Sequence, residues 1–168
     1  GSIPEGCTMY LLVLPLVFAV AYLVLLGILP LILGSSVPEW RKTISTRSLL
    51  LVILVSATTL MVSASIPNLE LGNRLQHALG GGFLCVLICF YAARDSNIHI
   101  SKLQFFLLSG LIVTTLGVGN ELLEFVLQNY TNLTYAATIN DTWLDLMSNT
   151  VGMFFAAACF VPLWQRRN

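Results

Sequence analysis

Residues 104–128 read QFFLLSGLIVTTLGVGNELLEFVLQ. From Gln104 to Gly119 there is no charged residue; Glu121 and Glu124 then follow within the same run. About 20 apolar residues suffice to cross a bilayer core as a helix. The hydrophobicity is continuous rather than alternating, so the segment reads as a membrane helix and not as a barrel strand. Two carboxylates at its end are expensive there and call for a reason.

The rest of the chain has the same character. Its 168 residues are 57% hydrophobic and 10% charged, with a mean hydropathy of +0.84. That is too little charge for a soluble surface. The formal net charge is zero, with eight basic and eight acidic residues, which excludes a nucleic-acid footprint. Gly1-Ser2 reads as a cleavage remnant and is set aside. The first apolar run is long enough to span and lacks the flanks of a removable signal peptide. Cys7, Cys85, Cys89 and Cys159 follow neither a disulfide nor a zinc spacing; the last three lie in apolar runs and read as small buried residues.

Working outward from residues 104–128, the sequence predicts an all-α, polytopic membrane protein: one domain over residues 1–168 with five helices. Their expected spans are about 9–33, 48–66, 73–93, 101–128 and 141–164. The first contains Pro15 and Pro30, which neighbouring helices can absorb. If the spans alternate, Arg41, Lys42, Arg47, Arg94, Lys102, Arg166 and Arg167 fall on one side and only Arg74 on the other. The excess of basic residues places the N-terminus outside and the C-terminus in the cytoplasm. Trp40 and Trp164 are expected at the inner interface and Trp143 at the outer one. Asn129, Asn132 and Asn140 head glycosylation-type triplets, read here as chance in an Asn/Thr-rich loop.

The polar residues within the spans then fall at one depth. Arg74 and His77 share a face of the third helix at i, i+3. Glu121, Glu124 and Gln128 share a face of the fourth at i, i+3, i+7, and Asp141, Asp145 and Asn149 one of the fifth at i, i+4, i+8. Each face continues inward with small residues: Gly81, Cys85 and Cys89; Gly117, Thr114 and Gly110; Gly152 and Ala156. Helices three to five are expected to pack closely in the inner half and to splay around an outward-facing acidic pocket. The first helix lacks such a face and is expected to be peripheral. The Ser56, Thr59, Ser63 stripe of the second is expected to bond its own backbone.

Four carboxylates with one arginine do not share a low-dielectric site unassisted; protons or a cation must join them. In a metal reading, Glu124, Asp141, Asp145 and Asn149 are ligands of a divalent cation, with His77 and Glu121 as acid/base groups and Arg74, Gln128 and Asn149 as binding groups. Blander roles stand beside it. Asp141 is equally suited to cap the fifth helix, Arg74 to snorkel to the headgroups, and Arg74, His77, Glu121 and Asp145 to form a structural network.

His77, the glutamates at the end of the fourth helix, and Asp145-x-x-x-Asn149-x-x-Gly152 resemble the VanZ-like family of small bacterial membrane proteins, over about Asn73 to Gly152. Glu121-x-x-Glu124 followed by Asp141-x-x-x-Asp145 is also similar to the YjdF-like membrane proteins. Where the VanZ-like pattern has Glu-x-x-Gln this chain has Glu-x-x-Glu, and no arginine lies between Asn129 and Asp145. The resemblance implies an envelope protein of the bacterial cytoplasmic membrane. Its expected partners are membrane lipids, an envelope precursor or a glycopeptide, and the family's named member carries a link to glycopeptide resistance. Three functions follow as expectations: action on a lipid or envelope precursor, non-enzymatic binding of such a ligand or of a partner protein, and proton or cation transport.

Overall fold

The computed structural model describes residues 5–33, 44–131 and 139–164. Among the described residues there are no strands, and five helices are long and apolar enough to cross a membrane. Length and composition thus make the chain an integral membrane protein. The helices are α1 (Glu5–Ile32), α2 (Thr46–Ala64), α3 (Leu69–Asp95), α4 (Lys102–Thr131) and α5 (Ile139–Leu163). Trp40, Arg41, Lys42, Asn132, Arg166 and Arg167 lie outside the described residues.

Helix ends follow local chemistry. Ser45 caps α2 by accepting from the Ser48 amide at 3.3 Å, and Asn68 caps α3 by accepting from the Leu71 amide at 3.0 Å. The α2 hydroxyls turn back on their own helix: Ser56 donates to Ile53 O, Thr59 to Ser56 O and Ser63 to Thr59 O. The α2–α3 turn is tight, since a Cβ on Gly72 would sit 2.9 Å from Ser63 O.

α3 is not uniform. Between two α-helical pieces, His77–Leu84 forms a π-helix. Such wide turns are rare and frequently mark functional sites. The segment includes Gly80-Gly81-Gly82, and α5 packs directly on it. A Cβ on Gly82 would fall 2.3 Å from Asn149 O, and one on Gly152 would fall 1.8 Å from Ala78 O. The two helices meet backbone to backbone, as small residues permit in membranes. The Cys85 thiol lies 3.7 Å from Gly80 O, inside this widened turn.

α1 packs along α2 and the second half of α3, with Tyr22, Leu26 and Leu29 essentially inaccessible. The expectation of a peripheral first helix is therefore corrected. Leu and Tyr on a membrane helix carry no mark of which face meets protein, because lipid tails are as apolar as the core. Arg47, Arg94 and Lys102 lie at one end of the bundle, the end where α1 and α3 are tied. There Tyr22 Oη donates to Asp95 Oδ2 at 2.7 Å and Ser96 Oγ to Leu26 O at 3.0 Å. Asn97 turns the chain with φ 54°, a left-handed conformation that Asn tolerates better than most residues. Trp164 is packed inside this end rather than exposed at an interface. Its ring stacks on Phe105 at 4.7 Å, and its Nε1 donates to Ile100 O at 2.9 Å. Trp143 is exposed, at the start of α5.

Candidate functional site

The opposite end of the bundle is acidic, and α3, α4 and α5 build it. Arg74 stands one turn before the π segment and His77 opens it. Asp141 and Asp145 lie on the first turns of α5, and Glu121 on the α4 face that packs against it. The helical spacings i, i+3 on α3 and i, i+4, i+8 on α5 aim these side chains at one another.

Arg74 is the hub. Its Nη1 donates to Asp145 Oδ1 and, at 3.1 Å, to Asp141 O; its Nη2 pairs with Asp141 Oδ1. Glu70 lies 3.8 Å from Nη2 at the exposed rim. Arg74 therefore reaches inward across α5, not outward to headgroups. Asp145 Oδ1 also accepts from Asn73 Nδ2 at 3.2 Å. His77 Nε2 sits 3.4 Å from the same oxygen, longer than a good hydrogen bond.

Glu121 and Asn149 stand apart from the Arg74 network. Glu121 is 8% exposed, Asn149 4% and Asp145 2%. Neither oxygen of the buried Glu121 carboxylate has a hydrogen-bond partner among the described residues. The Thr142 hydroxyl is near it without meeting hydrogen-bond geometry. Asn149 Oδ1 is likewise unpartnered, as is Arg74 Nε. Among the described residues these are all the buried side-chain nitrogens and oxygens that lack a partner, and every one belongs to this cluster. Native proteins leave few such atoms, and each needs an explanation. One ligand atom each from His77, Glu121 and Asp145 fall within 4.8 Å of one another.

A cavity of about 400 Å³ adjoins the cluster between α1, α3 and α4. Its walls are apolar, with Leu14, Phe18 and Leu25 of α1, Ile88 of α3 and Ile112 and Leu116 of α4. Its polar lining is Asn73, Gln76, His77, Asn120, Glu124 and Asn149. His77 and Asn149 thus belong both to the cavity and to the cluster. α1 and α4 flank the opening without packing extensively on each other.

Most residues expected from the sequence meet here, but not in the expected groups. Of the ligands expected from the sequence, Glu124, Asp141, Asp145 and Asn149, Asp145 belongs to the group of His77, Glu121 and Asp145 whose candidate ligand atoms fall within 4.8 Å of one another. Asp141, like Asp145, is held by Arg74. Glu124 lines the cavity and accepts from Asn120 Nδ2 at 2.8 Å. Asn149 lies against the glycines of α3 and α4: a Cβ on Gly81 would fall 1.9 Å from its Oδ1, and one on Gly117 3.0 Å from its Nδ2. Gln128 lies farther along α4, outside the cavity lining. Sequence reasoning missed Asn73, Gln76 and Asn120. Asn73 and Gln76 precede Gly80 at i, i+3, i+7, a polar-to-small stripe that could have been read. Comparisons with protein-family models, curated proteins and solved structures find no match.

Proposed function

We propose that this protein binds a lipid, or a lipid-borne envelope precursor, in the cavity between α1 and α4, with the polar head at the His77 end. The observation that carries this reading is the cavity itself: apolar walls leading to a cluster of polar side chains, in a bundle whose surroundings are lipid. Ligand sites of this size are typically apolar with a few orienting polar groups. On α1 the lining runs from Leu14 to Leu25, about 16 Å at the rise of a helix. That is roughly half the ~30 Å hydrocarbon core, the depth of one leaflet.

The excess of basic residues at the other end supports an orientation with the acidic end outside and the C-terminus in the cytoplasm. A VanZ-like envelope protein of the bacterial cytoplasmic membrane is the family reading that the His77, Glu121 and Asp145–Asn149–Gly152 pattern supports. Conduction of ions is the weakest reading, because the backbone contact of Gly82 and Gly152 with α5 and α3 leaves no polar path along that seam.

Gly80→Leu tests lipid binding. A Cβ there meets only Phe18 at 3.9 Å, so the new side chain enters the cavity without backbone conflict. Mass spectrometry of the purified protein is expected to find a co-purifying lipid in the wild type and not in the variant. Equal lipid in both, or none in either, contradicts the proposal. Action on the bound lipid is a second reading, favoured by His77 standing where cavity and carboxylates meet. It predicts turnover abolished by Glu121→Gln with lipid retained.

A further inference from the structure

The geometry points to a divalent transition-metal site formed by His77 Nε2, Glu121 and Asp145, with Zn²⁺ or Mn²⁺ as the ion. This site stands independently of the lipid reading.

Three observations converge on it. The first is distance. Ligands around a tetrahedral ion at about 2.1 Å lie about 3.4 Å apart. His77 Nε2 and Asp145 Oδ1 are separated by 3.4 Å, a spacing that two ligands of one ion can have, although this oxygen also accepts from Arg74 and Asn73. Glu121 completes a set within 4.8 Å, close enough for side-chain rotation to close the remainder.

The second is the orphaned carboxylate. Glu121 is more than nine-tenths buried, and both its oxygens lack a donor. A proton on Glu121 would serve one oxygen at most. An ion serves the carboxylate as a whole.

The third is charge. Arg74 faces Asp141 and Asp145 directly, and Glu121 adds a third carboxylate. With His77 neutral, as a ligand must be, one guanidinium among the three innermost carboxylates leaves two negative charges in a low-dielectric setting, and Glu124 and Glu70 farther out add to the same sign. A divalent cation cancels the two inner charges, whereas a single proton cancels one.

Ion identity follows from the donors. One imidazole with two carboxylates suits Zn²⁺ or Mn²⁺ better than Mg²⁺, which prefers oxygen alone. Three protein ligands leave a coordination position open, as in catalytic rather than structural zinc sites. His77 links the ion to the cavity, so the open position would take water or an anionic oxygen of whatever the cavity holds.

The test uses the full chain in detergent, stripped with chelator, dialysed against ZnCl₂ or MnCl₂, and assayed for bound metal and thermal midpoint. One ion per chain and a raised midpoint are expected for the wild type. Both are expected to vanish in Glu121→Gln, an isosteric change that removes a charge from a group with no hydrogen bond to lose, and in His77→Ala. Glu124→Gln is expected to keep both, which separates this site from the ligand set read off the sequence. No uptake by the wild type overturns the proposal, and so does uptake that survives Glu121→Gln. Gly80→Leu, which fills the cavity, should lose lipid yet retain metal, so failure of the lipid reading leaves this measurement interpretable.

Discussion

The two ends of the bundle treat buried polar groups in opposite ways. At the aromatic end the described polar side chains that tie helices together are paired: Tyr22 bonds Asp95, Ser96 bonds Leu26 O and Trp164 bonds Ile100 O. At the acidic end Arg74 is committed to Asp141 and Asp145, while Glu121 and Asn149 keep unpaired oxygens. Polar residues that glue membrane helices look like the first case. Orphaned atoms gathered in one place, beside a cavity and a π-helical turn, make the second case, and it is on these that the binding proposals rest.

Substitutions can break or sharpen this contrast. The largest effect is expected at the seam just below the acidic cluster. Gly152→Leu drives a side chain into Ala78 backbone, and overpacking of that kind costs about 3 kcal/mol or more. Little folded, monodisperse protein should elute by size exclusion. Gly119→Ala is the internal control, since a Cβ there meets nothing within 4 Å; it should be neutral or stabilise by up to ~1 kcal/mol. Next comes Arg74→Ala, which leaves Asp141 and Asp145 facing each other without their cation. Removing one partner of a buried pair costs about 3–5 kcal/mol, and a large fall in thermal midpoint is expected, partly restored by Arg74→Lys. At the aromatic end Tyr22→Phe deletes one hydrogen bond, worth about 1–2 kcal/mol. A modest fall in midpoint with unchanged metal uptake would keep the two ends functionally separate.

How much of this the sequence disclosed depends on the kind of residue. The helices, read as about 48–66 and 101–128, are observed at Thr46–Ala64 and Lys102–Thr131. An uninterrupted apolar run bounded by polar residues leaves little freedom in where a span begins. The acidic cluster was legible for the same reason: a charge inside a span is conspicuous, and His77, Glu121 and Asp145 fall at one depth. Their pairing was not legible. Which carboxylate Arg74 takes depends on helix rotation, and the π turn at His77–Leu84 resets the rotation of α3 where it matters. Gly81 was expected to pack closely, as it does against Asn149, but nothing in the sequence marked a wide turn there. The placement of α1 was wrong because Tyr22, Leu26 and Leu29 carry the same apolar signature whether they meet lipid or protein. Trp164 misled similarly: a terminal tryptophan suits a headgroup belt, and only the stacked Phe105 shows that it turns inward.

The most direct test of the contrast is the thermal midpoint of Glu121→Gln beside that of Tyr22→Phe, both in chelator. If Glu121 is an unpaired binding group, replacing its charge with a neutral amide removes no partner and lessens the penalty of burial. The account predicts a midpoint equal to or above that of the wild type, while Tyr22→Phe melts lower. A Glu121→Gln protein that melts as low as Tyr22→Phe, or lower, would make Glu121 a structural tie like those at the other end and would contradict the account.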